Sequence, residues 1–148
     1  MKGIKIYTIG FTQNTAEEFF GKLIKAGVRK IVDARLNNTS QLAGFAKKDD
    51  LKYFLKAIGD IDYLHMPLLA PTEEIFAKFK KKKGDWNIFE KTFLALMKER
   101  RIEKVVSPDE LDRACLLCSE HLPKHCHRRL VAEYLKNKWC NVEIEHLV

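Results

Sequence analysis

The stretch from Ile4 to Arg35, IKIYTIGFTQNTAEEFFGKLIKAGVRKIVDAR, carries three structural signals in succession. Ile4 to Ile9 places apolar residues either side of Lys5 and Tyr7, the period-two pattern of a strand. Gly10 to Asn14 reads as a loop. Thr15 followed three residues later by Glu18 is a capping box, in which hydroxyl and carboxylate satisfy orphan backbone donors. Phe19, Leu23 and Ala26 then share one helix face before Gly27 stops it. Val28 to Ala34 is a second strand, running into Asp33-Ala34-Arg35. Strand, helix and strand in that order imply parallel pairing with a right-handed crossover.

The remaining chain extends the pattern. Leu36 to Ala46 is polar and irregular, and Asp49 or Asp50 is placed to cap a helix bearing Leu51, Phe54, Leu55 and Ile58 up to Gly59. Ile61 to Met66 reads as a third strand, stopped by Pro67 and Pro71. A helical insert follows. Thr72-Glu73-Glu74 opens a helix with Ile75, Phe76 and Phe79, and Asp85 is placed to cap another with Trp86, Phe89, Phe93, Leu96 and Met97. Ser107-Pro108-Asp109-Glu110 looks like a short helix start. Ala114-Cys115-Leu116-Leu117-Cys118 is an unbroken apolar run suited to a central strand buried on both faces. Ser119 to His125 is a loop, Cys126 to Lys138 has helical spacing, and Val142 to Val148 closes as a strand. The expectation is an α/β fold: residues 1–148 as a single three-layer domain, with a mostly parallel sheet of about five strands.

Composition supports a chain that folds alone. The 148 residues are 46% apolar, with 7 Gly and 4 Pro, which excludes disordered and collagen-like classes. No apolar run approaches the roughly 20 residues of a bilayer-spanning helix, so no membrane partner is expected. Met1 to Gly10 reads as a strand rather than a signal peptide, which points to the cytoplasm. There, Cys115, Cys118, Cys126 and Cys140 are expected as thiols, metal ligands or reactive sulfurs rather than structural disulfides. The net charge of +7 permits a polyanionic partner, although 20 of the 27 cations are Lys, the usual residue of solvated helix faces.

Chemistry concentrates between Cys118 and Arg129, the segment CSEHLPKHCHRR. Ligands of open α/β sheets bind beyond the carboxyl ends of strands, where a following helix directs free N–H groups outward. Cys118 should stand at such a strand end. Cys126, His127 and Arg128 should occupy the next helix's first turn, where the dipole lowers a thiol pKa and a guanidinium can grip an oxyanion. Asp33 and Arg35, at the end of the second strand, could meet them across the same edge. The plainer reading makes Cys118 and Cys126 packing residues, Arg128 and Arg129 solvated, and Asp33 with Arg35 a structural pair.

The segments Thr8-Ile9-Gly10-Phe11-Thr12 with Glu17-Glu18-Phe19, Ile31-Val32-Asp33-Ala34-Arg35, Tyr63-Leu64-His65-Met66-Pro67-Leu68, and Leu117-Cys118-Ser119-Glu120 leading to Cys126-His127-Arg128 resemble the uncharacterised family catalogued as domain of unknown function 488. The resemblance spans nearly the whole chain. It departs at Phe11, where that family usually has histidine, and after Arg35, where the family's basic, proline-containing run is missing. It implies a compact α/β fold and a shared pocket built from these motifs, with no established activity.

The resulting reading is a small enzyme or ligand-binding domain for an anionic small molecule, a class that includes nucleotide-like ones. Glu120 is assigned as general base or orienting carboxylate, Cys126 as activated thiol and His127 as proton carrier. Asp33, Arg35, Cys118 and Arg128 form the binding set, with Arg35 and Arg128 holding the anion. His65 is a remote candidate. No cofactor and no oligomeric state can be read. No metal is expected, because Cys115 and Cys118, three apart on a strand, face opposite ways. Zinc held by Cys118 and Cys126 with His127, His121 or His125 stays as one alternative. Nucleic-acid binding by Lys78 to Lys104, where basic residues interleave with Phe76, Phe79 and Trp86, is the other. There the helical spacing of the aromatics favours packing instead.

Overall fold

The computed structural model describes residues 3–36, 47–81, 86–118, 126–139 and 141–148. The strands are β1 (Ile4–Gly10), β2 (Lys30–Asp33), β3 (Asp62–His65), β4 (Ala114–Cys118) and β5 (Val142–Leu147). The helices are α1 (Ala16–Ala26), α2 (Lys48–Gly59), α3 (Glu73–Lys81), α4 (Trp86–Arg100), α5 (Ile102–Val105), α6 (Pro108–Leu111) and α7 (His127–Lys138). All five strands are parallel, in the order β3-β2-β4-β1-β5. None of the described helices is long and apolar enough to cross a membrane.

Local signals account for the first unit. Thr15 Oγ1 accepts from the Glu18 N–H while Glu18 accepts from the Thr15 N–H, so the capping box forms, and Gly27 closes α1 at φ 79°. The second box, Ser107 with Glu110, opens α6 behind Pro108. The start of α2 departs from expectation. Lys47 is its N-cap without a side-chain bond, and Asp49 and Asp50 lie in the first turn, where their charges oppose the helix dipole's positive end. The second strand is also shorter than its apolar pattern, because Val28 turns its N–H back to the Leu23 carbonyl at the end of α1 and regular pairing runs only from Lys30 to Asp33.

Two apolar layers flank the sheet. Ile6, Val32, Ala34, Leu116 and residues of α4 and α7 fill one. Ile9, Phe11, Ile31, Cys115, Leu117 and residues of α1 and α2 fill the other. Alternation along β4 therefore splits Ala114 and Leu116 from Cys115 and Leu117, and every residue of β4 is buried. The insert's aromatics pack as core: Phe89 and Phe93 are buried, Trp86 stacks on Phe89, and Phe76 and Phe79 lie tilted against the same ring.

The topology places the site. The connections leaving β1 and β2 carry α1 and α2 over one face, whereas the connection leaving β4 carries α7 over the other. Because β4 lies between β1 and β2, the paths diverge on both sides of its carboxyl end, the crevice where open α/β sheets bind ligands. Gly10 is level with Cys118 and Asp33 with Leu117, so three strands end at one height there.

Candidate functional site

Two groups of side chains meet at this edge. On the α1 and α2 side, Asp33 ends β2 fully buried and accepts three bonds from Arg35: backbone N at 3.1 Å and Nε at 2.8 Å on Oδ1, and Nη2 at 2.7 Å on Oδ2. The Tyr63 hydroxyl donates to Asp33 Oδ2 from β3. Phe11, buried beyond β1, lies beneath the guanidinium with its ring 5.4 Å from Arg35 Cζ. Arg35 is itself 3% exposed, and its Nη1 has no hydrogen-bond partner among the described residues. His65 Nε2 lies 2.8 Å from the Arg35 carbonyl, so this histidine holds the backbone of the turn.

On the α7 side, Cys118 ends β4 and Cys126 is the N-cap of α7, one position earlier than a first-turn residue. Contrary to the expectation of unpaired sulfurs, the two are joined as a disulfide, with Cα atoms 7.4 Å apart, because the end of β4 and the cap of α7 bring them side by side. Arg128, fully buried, donates from Nη1 to Cys118 Sγ at 3.2 Å. His127 Nε2 lies 2.7 Å from the Ala34 carbonyl, which can only accept, so Nε2 carries the proton. That bond ties the two groups together. The His127 ring packs edge-on against Phe76 and Phe93, and burial pushes its pKa down to about 4, the Arg128 charge adding to the effect and the Ala34 bond opposing it. The imidazole is therefore neutral near pH 7, with Nδ1 holding the lone pair.

Cys118, Cys126 and His127 each bring one donor atom within 4.8 Å of the others. Cys115 faces the other layer as expected, and burial raises its pKa, so it is an inert core thiol. Of the residues singled out in the sequence, Asp33, Arg35, Cys118, Cys126, His127 and Arg128 all lie at this edge, in two groups rather than one. Glu120, His121 and His125 lie outside the described residues, as does Cys140. Phe11 and Tyr63 were missed. A buried Asp at a strand end demands donors, yet nothing in the order of residues says that the next strand's tyrosine supplies one. At the neighbouring end of β1, buried Thr8 bonds His146 Nδ1 through Oγ1 at 2.6 Å, and burial lowers the His146 pKa.

The described residues form an all-parallel α/β fold with buried sulfur, imidazole and guanidinium groups at its switch point, an arrangement that by itself names no reaction. No curated protein and no solved structure matches the chain. The family model described as Domain of unknown function DUF488 matches residues 15–135, and the chain belongs to that family.

Proposed function

We propose that the protein binds a small anionic molecule of the nucleotide kind at the carboxyl edge of β2 and β4, as a small enzyme or ligand-binding domain. The observation that carries this reading is Arg35: a buried guanidinium, held rigid by Asp33 and Phe11, with Nη1 unbonded among the described residues. Buried donors normally find acceptors, and a ligand oxyanion is the acceptor this place suits. Asp33 orients Arg35, and Arg128 adds a second buried positive charge beside Cys118. Once its disulfide with Cys118 is reduced, Cys126 is the thiol that acts on the bound molecule, and Cys118 belongs to the binding set. His127, neutral, takes a proton at Nδ1, and Glu120 serves as the orienting carboxylate or base.

Calorimetric titration with inorganic phosphate and with nucleoside mono-, di- and triphosphates tests the reading. Binding that falls at least tenfold in Arg35→Met and is unchanged in Lys78→Met is the expected result. Exposed Lys78, paired with Glu74 on α3, belongs to the basic face that the nucleic-acid alternative uses. Oligonucleotide binding that depends on Lys78, with no small-anion binding at all, would overturn the proposal and favour that alternative.

A further inference from the structure

The sulfurs of the site have a second relationship to His127 that anion binding does not use. Cys118 comes from the end of a fully buried central strand and Cys126 from the cap of the next helix, so both backbones are anchored before their side chains meet. Their Cα atoms, 7.4 Å apart, lie beyond the roughly 4.4–6.8 Å span usual for disulfide-linked cysteines. Two thiolates that share an ion stand further apart than two bonded sulfurs, and this backbone spacing suits them. His127 completes the set with a ring nitrogen, all three donors lying within 4.8 Å and all three residues buried. Its Nε2–H is spent on a backbone carbonyl, Ala34 O at 2.7 Å, a bond of the kind that fixes metal-ligating histidines, and Nδ1 is then the ring nitrogen with a lone pair to give. Arg128 Nη1, donating to Cys118 Sγ at 3.2 Å, stabilises the thiolate form that a metal requires.

We infer that Cys118, Cys126 and His127 bind a zinc-type divalent cation when the two cysteines are reduced. Two sulfurs and one imidazole nitrogen select a soft or borderline ion over magnesium or calcium. Three protein ligands leave a fourth tetrahedral position, the arrangement of catalytic rather than structural zinc. The inference deepens the reading above and rests on the same pocket, with the anion as candidate fourth ligand. With the ion bound, the two sulfurs and His127 Nδ1 are ligands, so the thiol and proton-accepting roles given above belong to the metal-free, reduced protein. Loading starts from the reduced pair. A phosphine takes up the oxygen of one water and becomes its oxide, the disulfide receives two electrons, and the water's two hydrogens complete two thiols. Zinc then displaces both thiol protons to solvent.

The test uses the full chain, reduced with a phosphine under anaerobic conditions, stripped with a chelator and titrated with zinc or cobalt(II) alone. One ion per chain is expected, with cobalt giving thiolate charge-transfer and tetrahedral ligand-field bands. Cys118→Ser and Cys126→Ser should abolish those bands, His127→Gln should weaken binding at least tenfold, and Cys140→Ser should change nothing. Alkylation of the wild-type protein covers any variant that does not fold: zinc should protect Cys118 and Cys126 while Cys140 reacts at its metal-free rate. Failure to take up one zinc per chain, or uptake that leaves Cys118 and Cys126 unprotected, overturns the inference. Anion titration of the metal-free reduced protein is read separately. Zinc uptake without anion binding sinks the pocket reading alone, and anion binding without zinc uptake sinks the metal site alone.

Discussion

At the scale of residues, the Asp33 and Arg35 pair is the feature with most at stake. Both side chains are out of water, and a charge left there alone has neither solvent nor partner. Asp33→Asn should destabilise the fold by about 3–5 kcal/mol in a denaturant titration. Adding Arg35→Met to that variant should restore part of the loss, since the pair is then removed as a whole. A loss below about 1 kcal/mol for Asp33→Asn would mean that the guanidinium finds water or another acceptor. Phe93, buried against the edge of the His127 ring, gives a second test. Phe93→Ala should cost about 3–5 kcal/mol through the cavity it opens. It should also loosen the imidazole, weakening cobalt binding without touching a ligand atom.

At the scale of elements, α1 is held by devices that the order of residues states openly. Thr15→Ala should lower stability by about 1 kcal/mol through loss of the cap, and Gly27→Ala by about 1–2 kcal/mol because φ 79° crowds a Cβ. Both are readable by thermal denaturation, and neither should change ligand binding. The contact between α7 and α5 is pH-dependent. Tyr134 donates to Glu103 at 2.7 Å, and burial, reinforced by the carboxylate, pushes the phenol up to about 12 from its ordinary 10.0. A raised folded-state pKa means stability that is complete below pH 10 and lost as pH rises towards 12. Tyr134→Phe should flatten that alkaline limb. These elements were legible because their signals are local: a capping box, a left-handed glycine, an unbroken apolar run in β4. The cap of α2 was misassigned because two aspartates in a row serve equally as cap or first turn, and only packing of Leu51 and Leu55 fixes the frame. Phe11 and Tyr63 escaped notice because their partner lies on another strand, where no local spacing records the contact.

At the scale of the whole molecule, the sheet order brings together at one edge residues far apart in the chain, and the site was legible only as two clusters. Cys118 to Arg128 announced itself by composition, and Asp33 with Arg35 by position at a strand end. That the two lie on opposite faces, bridged by His127 and the Ala34 carbonyl, follows from the alternation of β2 and β4 and could not be read from either cluster alone. The same order has a consequence for synthesis of the chain. Among the described residues, β1 pairs only with β4 and β5, both of which come after residue 113. While the ribosome works through the helical insert, β2 can pair with β3, but β1 has no strand to accept it. Of the described strands, β1 is thus made first and paired among the last, and apolar Ile4, Ile6 and Ile9, buried in the fold, should wait exposed or loosely covered while the helical insert is made. A chain released at residue 113 should lack cooperative unfolding and should recruit chaperones, whereas one extended through β4 should become protease-resistant over β1, as pulsed proteolysis of stalled nascent chains would register.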